Sequence, residues 1–152
     1  GHRGQVVRPE RCKWLNYEGE VVIVIGKPCR NVSQAEAGDY IAGYTIGNDY
    51  GLHDFRDTDS GSMLRVKGAD TLCPLGPGLI TDWDFHNKQI RTIVNGVVRQ
   101  EDNTDTMAWD MHYLVADIAR QHGGRAFAEP RDGGGASVGF VLPAAAPESF
   151  PT

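Results

Sequence analysis

The chain of 152 residues lacks long apolar runs, clustered positive charge and patterned cysteine. Its longest strongly apolar run, Val21 to Ile25, falls far below the roughly 20 residues that cross a bilayer, and no basic stretch leads into an apolar core of signal-peptide length. A membrane span and a secretory signal are therefore not expected. Fifteen Lys and Arg stand against twenty Asp and Glu, and no basic cluster offers a footprint for nucleic acid. Cys12, Cys29 and Cys73 are odd in number and widely spaced, fitting neither a zinc motif nor a disulfide scaffold. Together these absences point to a reducing, cytoplasmic setting and to one soluble domain that binds neither nucleic acid nor membrane.

What is present divides near residue 120. From 123 to 152 more than half the residues are Gly, Ala or Pro, and the only periodic stretch is Ser137 to Leu142. Such a segment has too little apolar surface to offset its ordering entropy, so 121–152 is expected to be a disordered or loosely packed tail beside a domain at 1–120. Within that domain, Glu18 to Ile25 is a β-branched run ended by Gly26 and Pro28, as in a buried strand. Ser33 and Glu36 form a capping-box pattern that starts a short helix through Ala37. Tyr40 to Asn48 forms a second strand, Gly51 to Ser62 a loop, Met63 to Lys67 a short strand, and Cys73 to Gly78 a turn. Asn95-Gly96 between Gln89–Val94 and Val97–Gln100 predicts a hairpin. Met107, Met111, Leu114, Val115 and Ile118 predict an amphipathic helix capped by Thr104 or Asp105 and ending near Arg120. Five or six strands against one good helix make a β-dominated α+β fold.

Glu18 and Glu20 are the most informative residues. At positions i and i+2 of a strand their side chains share a face about 7 Å apart. Two unpaired anions at the mouth of an apolar strand are costly, and a hard divalent ion is one compensation. A solvated strand end beside Lys13 or Lys27 is the alternative. Asp49 ends the second strand, although Asn48-Asp49 is also an ordinary turn pair. Lys67 follows a half-apolar stretch, and an isolated lysine is usually a surface residue. His53 and Arg56 line the same mouth if the segment after Asp49 is helical. His2, His86, His112 and His122 show no ligand spacing, Trp14, Trp83 and Trp109 are expected to pack, and Gly76-Pro77-Gly78 is too short to cradle phosphate.

The order of the motifs carries more information. Tyr17-Glu18-Gly19-Glu20, Gly43-Tyr44 leading to Asn48-Asp49-Tyr50, Leu64-Arg65-Val66-Lys67-Gly68, Pro74 to Pro77, and Val94-Asn95-Gly96 with Arg99-Gln100 together resemble the fumarylacetoacetate hydrolase family over residues 2 to 120. Within the family the pieces look most like the homoprotocatechuate-pathway isomerase/decarboxylase branch. The resemblance implies a mixed β-roll of the family's C-terminal domain type, here incomplete at both ends. It implies Mg²⁺ or Mn²⁺ held by Glu18, Glu20 and Asp49, and Lys67 stabilising an enolate formed from a small 2-oxo acid or diacid, or a 2-hydroxy-dienoic acid, of aromatic catabolism. Decarboxylation or isomerisation is the implied reaction, with acylpyruvate- or fumarylpyruvate-type C–C hydrolysis and an inactive metal-binding remnant as the alternatives. It also implies a homodimer.

This sequence departs from the family pattern in three places. His53 stands where many members carry an arginine that orients the substrate carboxylate, a role that Arg56 or Arg65 is placed to assume. The upstream segment that supplies a histidine and a glutamate in many members is expected to be missing here. After Arg120 neither the Pro-Gly-Asp turn nor the Thr-Gly-Thr-Pro loop follows, a break of the kind an out-of-frame reading of a GC-rich gene produces.

Overall fold

The structure is a computed structural model that describes residues 1–121, 125–130 and 136–141. Its strands are β1 (Leu15–Asn16), β2 (Gly19–Ile25), β3 (Ile41–Asn48), β4 (Gly51–Leu52), β5 (Gln89–Val94), β6 (Val97–Asn103), β7 (Arg125–Pro130) and β8 (Ala136–Val141). Two α-helices, α1 (Leu64–Lys67) and α2 (Met111–Gln121), and three short 3-10 turns complete the order. Among the described residues the sheets are two-stranded: β1 with β4, β2 with β3, β5 with β6, and β7 with β8. The chain divides into two compact units, Gly1–Val22 with Tyr44–Met107, and Ile23–Gly43 with the segment from Ala108 onward. Among the described residues no helix is long and apolar enough to cross a membrane.

In the first unit, β1 and β4 pair antiparallel with Leu15 opposite Leu52 and Asn16 opposite Gly51. Leu52 is thereby turned into a core with Cys12 and Leu72, against which Val6, Leu15, Tyr50, Phe55 and Ala69 pack. The hairpin of β5 and β6 turns at Asn95 (φ 51°) and Gly96 (φ 78°), the positive pair a type I′ turn requires. Met63–Lys67, expected as a strand, contributes a helix instead. Both Arg65 N–H and Val66 N–H donate to one oxygen of Asp59 (2.8 and 3.1 Å), satisfying the free donors of the first turn. Asp59→Ala is expected to lower stability by about 1 kcal/mol, the usual worth of a helix cap. The check is a lower denaturant midpoint at unchanged slope.

In the second unit, Ser33 and Glu36 make half of a capping box: the Ser33 N–H donates to Glu36 Oε2 (3.2 Å), but the Ser33 hydroxyl donates to that same carboxylate oxygen while the Glu36 N–H goes to the Ser33 carbonyl. The helix they were expected to start is a 3-10 turn at Ala37–Tyr40. α2 begins later than expected, because Asp110 Oδ1 accepts the Tyr113 N–H at 2.7 Å and caps it there. Thr104 and Asp105 belong to a separate 3-10 turn. The buried stripe of α2 is therefore Met111, Val115 and Ala119. Val115 and Ala119 join a core with Ile25, Cys29, Val32 and Ala37, while Met107 and Ile118 are exposed.

The tryptophans also differ from expectation. Trp83 packs edge-on against Tyr44, but Trp14 and Trp109 are exposed. Trp14 serves through its backbone, its N–H donating to Asp54 and its carbonyl accepting from His53, and Trp109 stacks on Tyr113. All three cysteines are free. In the segment set apart by composition, β7 and β8 pair antiparallel from Arg125 opposite Val141 to Pro130 opposite Ala136. His122 and the rest of that segment lie outside the described residues.

Candidate metal centre

Glu18 and Glu20 flank Gly19, whose backbone is held from both sides by one side chain. Gly19 N–H donates to Gln100 Oε1 (2.9 Å) and Gln100 Nε2 donates to the Gly19 carbonyl (3.2 Å). Thr92 Oγ1 donates to the same Gln100 oxygen at 3.0 Å. Asn48 and Asp49 bind the other side: Glu18 N–H donates to Asn48 Oδ1 and Asp49 N–H donates to the Glu18 carbonyl, both at 2.9 Å. This clamp of side-chain and backbone bonds brings one carboxylate oxygen each of Glu18, Glu20 and Asp49 to within 4.8 Å of one another.

Lys67 reaches this group from the end of α1. Its Nζ lies 2.8 Å from Glu18 Oε1 and 3.0 Å from Asp49 Oδ2, and it donates to the Asp49 carbonyl at 3.1 Å. Its three donor positions are thus all directed to Glu18 and Asp49, and Glu20 receives none. The titration behaviour follows this division. Burial raises the Glu20 carboxyl above the ordinary glutamate range, repulsion from Asp49 and Glu18 raises it further, and the pull of Lys67 only partly offsets them. Burial works against the Lys67 ammonium, but hydrogen bonds and attraction from Glu18 and Asp49 outweigh it and raise its pKa. The Cys73 thiol nearby is raised by burial and then by Asp49 and Glu20, with Lys67 pulling the other way.

Three carboxylates against one ammonium leave two net negative charges in a small space. All the donors are hard oxygens, and they lie within 4.8 Å of one another, a little wider than the roughly 4.2 Å that spans one ion with ligands at about 2.1 Å. The residues present fit Mg²⁺ or Mn²⁺, and among the described residues the cluster is made of carboxylates alone.

The remaining candidates fall in different places. His53 stands beside the cluster, its Nε2 4.0 Å from Glu18 Oε1. Arg65 is exposed and its guanidinium lies over the Phe55 ring, 4.2 Å from the centroid. Arg56 is exposed, its N–H donating to the His53 carbonyl. Sequence reasoning did not single out Asn16, Asn48, Gly51 or Gln100 as site residues, nor Arg3 and Arg91, which line a cleft of about 280 Å³ with Glu20.

Comparison with known proteins shows the family. The family model described as fumarylacetoacetate (FAA) hydrolase C-terminal matches residues 1–126. A 4-hydroxyphenylacetate degradation bifunctional isomerase/decarboxylase of Salmonella dublin is 42% identical over 121 residues, covering 78% of this chain and 28% of the relative. A mitochondrial oxaloacetate tautomerase of Xenopus laevis is 38% identical over 112 residues, covering 71% and 35%. The crystal structure of a 2-hydroxyhepta-2,4-diene-1,7-dioate isomerase from Mycobacterium marinum matches at a TM-score of 0.69 and 45% identity, over 72% of this chain and 43% of that one. The chain spans less than half the length of these relatives. With the family model covering most of its length and the carboxylates of Glu18, Glu20 and Asp49 converging on one point, the chain belongs to the fumarylacetoacetate hydrolase family.

Proposed function

We propose that the chain is a divalent-metal-dependent enzyme that acts on 2-oxo or 2-hydroxy-dienoic acids by stabilising an enolate, most directly in decarboxylation or isomerisation. The observation that carries this reading is the convergence of Glu18, Glu20 and Asp49 around a charged lysine, in a pattern that leaves Glu20 without a counter-charge. The names of the relatives, an isomerase/decarboxylase, a tautomerase and a dienedioate isomerase, support the same reaction class. The mixed β-roll and a homodimer belong to the same reading.

In this reading Glu18, Glu20 and Asp49 hold Mg²⁺ or Mn²⁺, which when bound supplies a Lewis acid for the 2-oxo group and its neighbouring carboxylate. The protein's own contribution is electrostatic. Lys67 is kept protonated by Glu18 and Asp49 and is partly shielded from water, with 23% of its side chain exposed. A fixed ammonium in such a setting stabilises negative charge developing on an enolate oxygen more than it stabilises the neutral ketone, which is the condition for lowering a barrier. Decarboxylation and tautomerisation both pass through that charge, so one arrangement serves both.

Oxaloacetate, a compact 2-oxo diacid, is the first substrate to try. With saturating Mg²⁺ the chain is expected to accelerate its tautomerisation or decarboxylation over the same Mg²⁺ solution without protein. Mg²⁺ bound with no turnover of oxaloacetate or of an acylpyruvate would favour the metal-binding remnant. Sedimentation at micromolar concentration tests the assembly, a dimer being expected and a monomer counting against it.

A further inference from the structure

Gln100 meets the residue between Glu18 and Glu20 as a neighbouring strand would. A peptide N–H only donates and a carbonyl only accepts, so Gly19 dictates which way the carboxamide faces. Oε1 accepts the Gly19 N–H at 2.9 Å and Nε2 donates to the Gly19 carbonyl at 3.2 Å. Thr92 favours the same orientation, its hydroxyl donating to Oε1 at 3.0 Å. Thr92 and Gln100 lie directly opposite each other in the β5–β6 hairpin, and the register shifts immediately after Thr92. Opposed residues of a ladder share a face, and a bulge re-aims the chain beside it, so the hairpin presents these two side chains as one unit. Glycine is needed at position 19 for space rather than for conformation. A Cβ there would overlap Thr92 Oγ1 and lie 3.4 Å from Gln100 Oε1, and Gly19 does not have a positive φ. Asn48 and Asp49 hold Glu18 on the opposite side. The backbone from which both glutamates extend is therefore fixed from two directions.

Water would satisfy the peptide groups of a half-buried strand end without ordering a long side chain, so the hold by Gln100 costs rotamer entropy that backbone pairing alone does not require. What it adds is a set position for the two flanking residues. We propose that Gln100, aimed by Thr92, is the positioning residue of the metal centre: its two-point hold on Gly19 sets the spacing of Glu18 and Glu20 and thereby biases which divalent ion the cluster prefers. The inference rests on the metal-centre reading above and assigns ion discrimination in that site to a carboxamide bonded to backbone and to Thr92. Mg²⁺ demands near-ideal octahedral geometry with short bonds, whereas Ca²⁺ accepts longer bonds and variable coordination. Letting the two glutamates drift costs Mg²⁺ more than Ca²⁺, so the hold favours the smaller ion.

The test is calorimetric titration of Mg²⁺ and, separately, of Ca²⁺ into the metal-free chain. Gln100→Met, similar in length but unable to hold either peptide group, is expected to lower Mg²⁺ affinity about tenfold, the usual cost of removing an outer partner that orients metal ligands. Ca²⁺ affinity is expected to change by a factor of about three or less, because its coordination tolerates a looser pair. Thr92→Val is expected to shift the ratio of the two affinities in the same direction by a smaller factor. Thr92→Ser, which keeps the hydroxyl, is expected to retain the wild-type ratio. A purely structural role for Gln100 would lower both affinities alike. No loss or equal losses for the two ions in Gln100→Met, or the same ratio in Thr92→Val and Thr92→Ser, overturn the proposal and leave the metal centre standing. If Gln100→Met does not fold, the two Thr92 variants decide by themselves. A wild type that binds neither ion overturns the metal reading and this proposal together.

Discussion

Lys67→Met is expected to lower turnover of a 2-oxo acid by two to three orders of magnitude, the usual cost of removing one group that stabilises developing oxyanion charge. Metal affinity is expected to stay the same or rise, because the substitution removes a cation that already pairs with Glu18 and Asp49. The metal-free chain is expected to melt lower, since three carboxylates then face one another without a counter-charge. The pH dependence has a definite sign. The folded-state pKa of Lys67 is raised, so its contribution is complete below the unfolded lysine value, about 10.4, and is lost only as the pH climbs through the higher folded value. At neutral pH the ammonium is intact, and a rate controlled by its deprotonation is an alkaline feature. Full activity in Lys67→Met with metal bound would remove the lysine from the chemistry.

Glu20→Gln is expected to change stability in opposite directions with and without metal. Glu20 has a raised folded pKa, so the folded metal-free chain holds that proton more tightly than the unfolded chain does. Its contribution is greatest below the unfolded glutamate value and is lost as the pH rises through the folded one. Above the unfolded glutamate value this carboxyl therefore opposes folding, and the neutral amide is expected to raise the Tm of the metal-free chain at pH 7. With metal the order reverses. An ion that binds only the folded wild type adds about 2.7 kcal/mol at a hundredfold excess over Kd, and the variant is expected to gain little of this. Thermal unfolding at pH 7 with and without millimolar Mg²⁺ measures both effects, and an equal metal response in the two proteins would contradict the assignment.

The parts legible in the sequence are those fixed by neighbours in the chain. β2 follows from its β-branched run and the β5–β6 turn from Asn95-Gly96, while Glu18, expected on the strand with Glu20, lies just before it, since β2 begins at Gly19. The helix α1 was not legible because its cap, Asp59, lies outside the apolar stretch and reaches its donors across a turn. The start of α2 is not legible from the Thr104 and Asp105 cap pattern because Asn103 caps a separate 3-10 turn there, its side chain accepting the Asp105 N–H. In the site, Asp49 and Lys67 each had an ordinary alternative, and only the order of family motifs joined them to the glutamates. Asn16 and Gly51 meet His53 through strand register, and Gln100 reaches Gly19 from 81 residues away. No local pattern marks any of these three contacts.

Calorimetric titration of Mn²⁺ into the metal-free chain tests the central claim most directly. One ion per chain is expected, with binding strongly weakened in Glu20→Gln and preserved in Lys67→Met. No binding, or binding that Glu20→Gln leaves unchanged, would mean that the three carboxylates do not form the metal centre.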